Sequence, residues 1–138
     1  MKKPLLLFIF LLSILFQTNA QSEKNVIKSF RYNGEKSILL ALDGDFEVVE
    51  WDEKIVRLST TVSSSNLNET TLNALTVAGR YTSSATNEGN SMILGMPKSQ
   101  RELIIRGVKV LETYKSKVYV PKGVNVEKMS QEEYAAHL

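Results

Sequence analysis

Apolar and polar side chains alternate along most of the chain beyond residue 20. The runs over residues 26–32, 36–42 and 54–62 place apolar residues at every second position. A period of two is typical of a β-strand that buries one face. The side chains that this pattern places on the buried faces are Phe30, Tyr32, Ile38, Leu40, Leu42, Val56, Leu58 and Val62.

Two short turn signals separate these runs. Asn33-Gly34 follows the first run, and Asp43-Gly44 follows the second. Both dipeptides favour type I′ hairpin turns, because both central residues of such a turn have a positive φ. We therefore expect a β-hairpin at each of the two positions.

The run between Gly44 and Trp51 is apolar on both faces. Phe46 and Val48 share one face of the predicted strand, and Val49 and Trp51 share the other. A strand of this kind is usually covered on both sides or carries a bulge. Trp51 is therefore expected either to pack beneath a covering layer or to face a partner.

A helix is predicted near residues 66–78. Asn66 and Glu69 have the spacing of a capping box, and Gly79 provides a stop. Leu72 and Leu75 fall on one side of this helix. Because a helix this short is marginally stable alone, we expect that side to pack against a sheet.

Strand patterns continue beyond the helix. They cover residues 80–86, 91–96, 103–105, 108–111, 115–120 and 124–126, with a turn-like segment at 87–90. Ser130 and Glu133 have the spacing to cap a last short helix. These patterns predict a mainly β fold of eight to ten short strands in two stacked sheets, with partly β-solenoid character and one short helix near residues 66–78.

The first twenty residues follow a different pattern. Lys2 and Lys3 precede an apolar run over residues 5–16, and residues 18–20 suit an export cleavage site. This order is typical of a secretory signal peptide, and the run is shorter than the ~20 apolar residues of a membrane-crossing helix. We expect a signal peptide over residues 1–20, a single β-rich domain over residues 21–138, and no transmembrane anchor after cleavage.

Composition narrows the chemistry further. The sequence contains no cysteine, which excludes disulfides, thiol chemistry and a lipid anchor on a cysteine. Beyond residue 20 the chain is formally neutral, but residues 98–128 carry 8 Lys/Arg against 3 Glu, whereas residues 21–97 carry 7 Lys/Arg against 10 Asp/Glu. The basic segment is either a surface for an anionic envelope polymer or lipid headgroup, or the solvated face of amphipathic strands.

One segment carries a family resemblance. Gly44-Asp45, Val48 and Trp51-Asp52 have a spacing that resembles the Gly-Asp-x-x-Val-x-x-Trp-Asp pattern of exported bacterial β-strand-repeat proteins, an adhesin-like family. Gly79-Arg80-Tyr81 and the late segment 118–124 are also similar to that family. The resemblance implies a β-solenoid or a flattened two-sheet stack and an adhesin-like role, and it brings no catalytic residue.

Candidate chemistry is sparse. The only histidine, His137, lies one residue from the end of the chain, where a mobile tail makes a poor base or metal ligand. Asp43, Asp45 and Glu47 stand at every second position, as the first carboxylate ligands of an EF-hand Ca²⁺ loop do. An EF-hand loop that begins at Asp43 would also need Gly at its sixth position and Glu at its twelfth, where this chain has Val48 and Lys54. We therefore expect no catalytic residue, no cofactor and no metal site.

The sequence thus predicts a non-enzymatic protein exported to the periplasm or cell surface of a bacterium. Its expected role is adhesin-like binding or scaffolding of an envelope component or a protein, not of nucleic acid, with Trp51, Asp52 and Tyr81 as the candidate partner surface. Two alternatives stay open. One is a carbohydrate-active enzyme that uses the carboxylates near Trp51. The other is a periplasmic carrier of an apolar ligand, which would need a cavity between the sheets.

Overall fold

The computed structural model describes residues 21–138, and the signal peptide expected over residues 1–20 lies outside the described residues. The described part of the chain contains ten strands and two helices. The strands are β1 (Ser22–Arg31), β2 (Ser37–Ala41), β3 (Asp45–Trp51), β4 (Ile55–Ser64), β5 (Ser84–Glu88), β6 (Ser91–Gly95), β7 (Ile104–Ile105), β8 (Val108–Lys109), β9 (Glu112–Pro121) and β10 (Asn125–Lys128). The helices are α1 (Glu69–Val77) and α2 (Gln131–Ala135).

The strands form two four-stranded sheets and one small hairpin. Sheet A has the order β1-β4-β9-β3, sheet B has the order β10-β2-β6-β5, and β7 pairs with β8. In sheet A, β4 is antiparallel to both β1 and β9, whereas β3 is parallel to β9. In sheet B, β2 is parallel to β10 and β6. The mainly β prediction is confirmed, while solenoid character stays a prediction.

The main core lies between the two sheets. Five of its ten buried residues are alternating positions that the sequence pattern marked, because one face of each central strand turns inward. Strands β2 and β6 contribute from sheet B, and strands β4 and β9 contribute from sheet A. The buried members are Ile38, Leu40, Leu42, Val56, Leu58, Met92, Leu94, Val118, Val120 and Val124, with Phe30, Tyr32 and Phe46 packed at the margin.

Helix α1 closes a second core at one end of sheet A. Leu72 is fully buried and packs in one cluster with Val62 of β4 and Tyr114 of β9, and Leu75 packs at the margin of this cluster. The prediction that the Leu72 and Leu75 side of this helix packs against a sheet is therefore confirmed. The side chain of Asn68, not that of Asn66, caps the helix by accepting a hydrogen bond from the backbone N–H of Thr71.

Helix α2 covers the outer face of sheet B. Ser130 caps it by accepting a hydrogen bond from the backbone N–H of Glu133, as the sequence spacing predicted. Its Tyr134 packs with Ala41 of β2 and Ile93 of β6. Gly95 is required beneath this ring, because a Cβ at that position would lie 2.5 Å from Cζ of Tyr134. The central strands β2 and β6 of sheet B are thus covered on both faces.

The two hairpins predicted at Asn33-Gly34 and Asp43-Gly44 do not form. Strand β2 lies in sheet B, whereas β1 and β3 lie in sheet A, so the chain crosses between the sheets at both turns. The apolar faces of β1 and β2 meet across the core instead of lying side by side. Strands β5 and β6, by contrast, do form an antiparallel hairpin, at the strand patterns predicted on either side of the turn-like segment 87–90. Gly44 is needed for close packing, because a Cβ there would overlap the carbonyl oxygen of Tyr114.

Candidate functional site

Within residues 21–138, neither helix covers the outer face of sheet A. Because Leu58 and Val118 point into the core, their neighbours Arg57 and Tyr119 point outward. The strand pairings align Ser29, Arg57, Tyr119 and Val49 in one row across β1, β4, β9 and β3. This row continues toward the end of the sheet where Trp51 pairs with Pro121. We call this surface the outer face.

Trp51 is held in a defined orientation on the outer face. Its indole Nε1 donates a hydrogen bond of 2.9 Å to the carbonyl oxygen of Ile55. The ring packs against Tyr119 with centroids 5.0 Å apart and planes tilted by 34°. The guanidinium carbon of Arg57 lies 5.1 Å from the centroid of the indole ring, which is the geometry of a cation–π contact. Trp51 is only half-buried, so this aromatic-cationic group meets solvent.

Asp52 lies beside this group in the turn between β3 and β4. Its carboxylate accepts an ion-pair contact of 2.7 Å from Nζ of Lys122. The side chain of Asp52 is 87 % exposed, so the pair is solvated and weak. An open depression of about 450 Å³ adjoins the turn and is lined by Tyr32, Gly34, Trp51, Asp52, Glu53, Lys54, Pro121 and Lys122. Trp51 and Asp52 therefore both line this depression, and their role as a partner surface stays a prediction.

Tyr81 does not belong to that surface, and this part of the expectation is corrected. It is only 1 % exposed and packs in the core cluster beneath α1. The sequence placed Tyr81 on a strand, but the residue follows the helix in a turn that directs the ring inward. Its hydroxyl donates a hydrogen bond of 2.5 Å to Oε2 of Glu112. Its role in the described structure is therefore to pack and to orient a buried carboxylate.

The carboxylate of Glu112 is the centre of a buried polar network. Arg80 donates from Nη2 to Oε1 at 2.6 Å and from Nε to Oε2 at 3.0 Å, so the pair is bidentate. Burial by itself raises the pKa of Glu112, but hydrogen bonds from Arg80 and Tyr81 outweigh burial and lower it overall. The hydrogen bond to Glu112 in turn raises the pKa of Arg80. This network adjoins an open depression of about 620 Å³.

Sequence reasoning recognised Trp51 but not its neighbours in space. Arg57 and Tyr119 lie in the predicted strand runs 54–62 and 115–120, but the sequence pattern does not join either run to Trp51. Only the parallel pairing of β3 with β9 brings Trp51 onto Tyr119. Among residues 21–138, no group of three His, Cys, Asp or Glu side chains is arranged to hold a metal ion. In the same part of the chain, no helix is long and apolar enough to cross a membrane.

Comparisons with known proteins gave two similar solved structures. No family model matches the sequence, and no curated protein matches it. A "putative cell adhesion protein" from Clostridium sporogenes is similar over 79 % of this chain and 47 % of its own length, with 13 % identity and a TM-score of 0.44. A "putative adhesin" from Bacteroides fragilis is similar over 78 % of this chain and 40 % of its own length, with 10 % identity and a TM-score of 0.40.

The chain thus spans less than half the length of either solved structure. The adhesin-like resemblance drawn from the sequence agrees with the names of both.

Proposed function

We propose that this chain is an exported, non-enzymatic domain with an adhesin-like binding role at the envelope or surface of a bacterium, and that its outer face is the binding surface. The observation that carries the proposal is the unequal covering of the two sheets. Helix α2 covers the central strands β2 and β6 of sheet B, whereas Trp51, Tyr119 and Arg57 on the outer face of sheet A are only partly buried. Tryptophan, tyrosine and arginine are the residues in which binding energy concentrates at interfaces.

The surroundings of this group suit a broad, polar partner. Ser29 accepts a hydrogen bond from Arg57 Nε at 3.2 Å, and Asn25 donates to Thr61 Oγ1 at 3.0 Å on the same face. Lys117 and Glu47 form a loose pair at 3.9 Å, both largely exposed. The outer face therefore offers hydroxyl, amide and charged groups around one aromatic centre, as the rim of a binding surface does.

The two alternatives have less support. The carboxylate of Asp52 stands in an open turn with Lys122 as its partner, which does not resemble two carboxyl groups converging on a sugar in a cleft. A carrier of an apolar ligand needs space between the sheets, and that region is occupied by side chains such as Leu40, Leu58 and Leu94, each at most 1 % exposed.

Binding of envelope material tests the proposal. Purified protein is incubated with envelope extract of its host, and captured glycan and protein are quantified for wild type, Trp51→Ala and the control Val77→Ala. Val77 is 90 % exposed on α1 and does not belong to sheet A. We expect Trp51→Ala to weaken capture by more than about 2 kcal/mol, or roughly 30-fold, because a central aromatic anchor is lost. Equal capture by all three proteins would reject the outer face as the site.

Export is tested separately. The N-terminal sequence of the protein isolated from its host should begin at Gln21, directly after the expected signal peptide. A chain that still begins at Met1 would contradict export, and it would leave the binding measurement unaffected.

A further inference from the structure

The hairpin of β7 and β8 is unlike the rest of the described surface. Its strands pair Ile104 with Lys109 and Ile105 with Val108, and the turn between them is Arg106-Gly107. Both turn residues have a positive φ, 52° for Arg106 and 78° for Gly107, as a tight two-residue hairpin turn requires. Three large apolar side chains of this element and its base are mostly exposed: Ile104 at 60 %, Val108 at 59 % and Leu111 at 54 %.

The hairpin borders an open depression on each flank and is held at its base. A depression of about 620 Å³ lies on one flank and is lined by Leu103 and Leu111, among others. Another of about 350 Å³ lies between the hairpin residues Ile105, Arg106 and Val108 and the start of α1. The side chain of Asn66 fixes the base: Nδ2 donates to the carbonyl of Lys109 at 2.8 Å, and Oδ1 accepts from the N–H of Leu111 at 3.0 Å.

The charge of the hairpin points to a partner of opposite sign. Residues 101–109 include Arg101, Arg106 and Lys109 against one acid, Glu102, so the element carries a net charge of +2. Glu102 lies 3.4 Å from Lys109, and both side chains are more than half exposed. Because water screens the two charges, the ion pair is weak, and either side chain can leave it to contact another charge. Arg106 at the turn and Arg101 at the base are therefore available to an anionic partner.

We propose that this hairpin docks onto an anionic lipid bilayer, with its apolar side chains entering the interface between headgroups and acyl chains and its basic side chains contacting lipid phosphates. Apolar side chains occur on both faces of the hairpin, since Ile104 and Val108 belong to different cross-strand pairs. A rigid protein groove meets one face, whereas a fluid bilayer can cover exposed apolar side chains on both faces, such as Ile104 at 60 % and Val108 at 59 % exposure. Apolar burial combined with attraction to anionic lipid is the known basis of interfacial membrane binding.

This docking is compatible with a free outer face. Strand β9 begins at Glu112, directly after the hairpin, and ends at Pro121, which pairs with Trp51. Its ten residues extend ~30 Å at the rise of a β-strand. A bilayer that holds the hairpin would therefore leave the Trp51 end of sheet A away from its surface. The inference does not depend on the proposed function.

Co-sedimentation with vesicles tests the proposal. The purified protein is mixed with vesicles of phosphatidylcholine alone or of phosphatidylcholine with phosphatidylglycerol, at low and high salt. The variants are Ile104→Ser/Val108→Ser and Arg106→Asn, and the control is Val77→Ser, which changes a 90 % exposed apolar residue on α1. Asparagine is chosen at position 106 because it tolerates the left-handed backbone of that turn. Thermal unfolding checks that each variant folds.

We expect wild type to partition onto anionic vesicles and to lose affinity at high salt. The double variant should bind at least tenfold more weakly because two interfacial apolar side chains are lost. Arg106→Asn should bind about fivefold more weakly, which corresponds to one basic residue near an anionic surface. The Val77→Ser control should bind as wild type does.

Several results would overturn the proposal. One is that the wild-type protein does not bind anionic vesicles, or that it binds neutral vesicles equally well. Another is a folded double variant that binds as wild type does. A third is self-association of wild type in solution that the double variant abolishes, because the hairpin would then cover a second copy of this chain.

Discussion

Arg80 and Glu112 form a bidentate ion pair whose side chains are only 11 % and 7 % exposed. Arg80 also donates to the backbone carbonyls of Lys98 and Arg101, at 3.1 and 3.0 Å. One guanidinium thus joins the turn after α1, the loop after β6 and the start of β9. Because buried charges need partners for every donor and acceptor, this arrangement fixes how α1 and the loop sit against sheet A.

Glu112→Gln should destabilise the fold by about 2–4 kcal/mol. The substitution keeps the shape of the side chain but removes its charge, which leaves the buried guanidinium of Arg80 uncompensated. The matched control is Glu102→Gln, which removes an exposed carboxylate beside Lys109 and should change stability by less than about 1 kcal/mol. Urea unfolding measures both. Equal small effects would show that the Arg80–Glu112 pair contributes little.

Stability should also fall in acid through Glu112. Its pKa in the folded protein is below the ordinary value of 4.5, so the unfolded chain takes up the proton first as the pH falls. The contribution of this carboxylate is therefore complete above the unfolded pKa and is lost as the pH drops through the lower, folded pKa. Unfolding free energies measured down to about pH 3 should decline more steeply for wild type than for Glu112→Gln. Parallel curves would contradict this assignment.

The two tyrosines of this region should respond differently to loss of their hydroxyl groups. Tyr81 donates to Glu112, whereas the hydroxyl of Tyr114 is buried and has no hydrogen-bond partner among residues 21–138. Tyr81→Phe should cost about 1.5–3 kcal/mol, the range for a hydrogen bond to a charged group, and Tyr114→Phe should be nearly neutral or stabilising. Chemical denaturation of both variants checks the difference, and a larger loss for Tyr114→Phe would contradict it.

Helix α1 offers a comparison of buried and exposed apolar positions. Leu72 is fully buried, whereas Val77 is 90 % exposed on the same helix. Leu72→Ala should cost about 2–5 kcal/mol because it removes core contacts and leaves a cavity. Val77→Ala should stay within about 0.5 kcal/mol, as substitutions on the surface usually do. Thermal unfolding of the pair checks the docking of α1, and equal effects would contradict it.

The faces of the strands could be predicted from the sequence, but their partners could not. Alternation correctly placed Ile38, Leu40, Val56 and Leu58 in the core, because burial of one face is a local property of each strand. Asn33-Gly34 and Asp43-Gly44 were wrongly interpreted as hairpins. A positive φ, such as 84° at Gly34 and 72° at Gly44, serves a crossing between sheets as well as a tight turn. Parallel pairing joins strands that are far apart in the sequence, so no local sequence pattern indicates which strands pair.

Of the three candidate site residues, the sequence could indicate position along a strand but not tertiary surroundings. Trp51 and Asp52 line an open depression beside the charged turn, and their role in binding stays a prediction. Tyr81 was misplaced because its burial depends on the packing of α1, a tertiary contact. The β7–β8 hairpin was seen as two strands, but Arg106-Gly107 is not a typical turn sequence, so its turn was missed. Asn66 was assigned to the helix, whereas it holds the base of that hairpin.

Trp51 is where packing and binding can be separated by experiment. The indole makes one hydrogen bond to Ile55 and one aromatic contact with Tyr119, yet it is only half-buried. Trp51→Ala should therefore cost about 1–3 kcal/mol of stability, less than the ~3–5 kcal/mol of a fully buried aromatic side chain. Trp51→Phe keeps an aromatic ring beside Tyr119 and should lose only about 0.5–1.5 kcal/mol, the net value of the hydrogen bond.

Two measurements check whether Trp51 is a partly exposed or a core residue. The first is chemical unfolding of both variants, and the second is quenching of the intrinsic fluorescence of wild type by a soluble quencher. An indole at the outer face should be quenched in the folded protein, because one side of the Trp51–Tyr119 group meets solvent. A loss above about 4 kcal/mol for Trp51→Ala, together with an indole protected from quencher, would make Trp51 a core residue. In that case the binding surface would have to be sought away from the row of Arg57 and Tyr119.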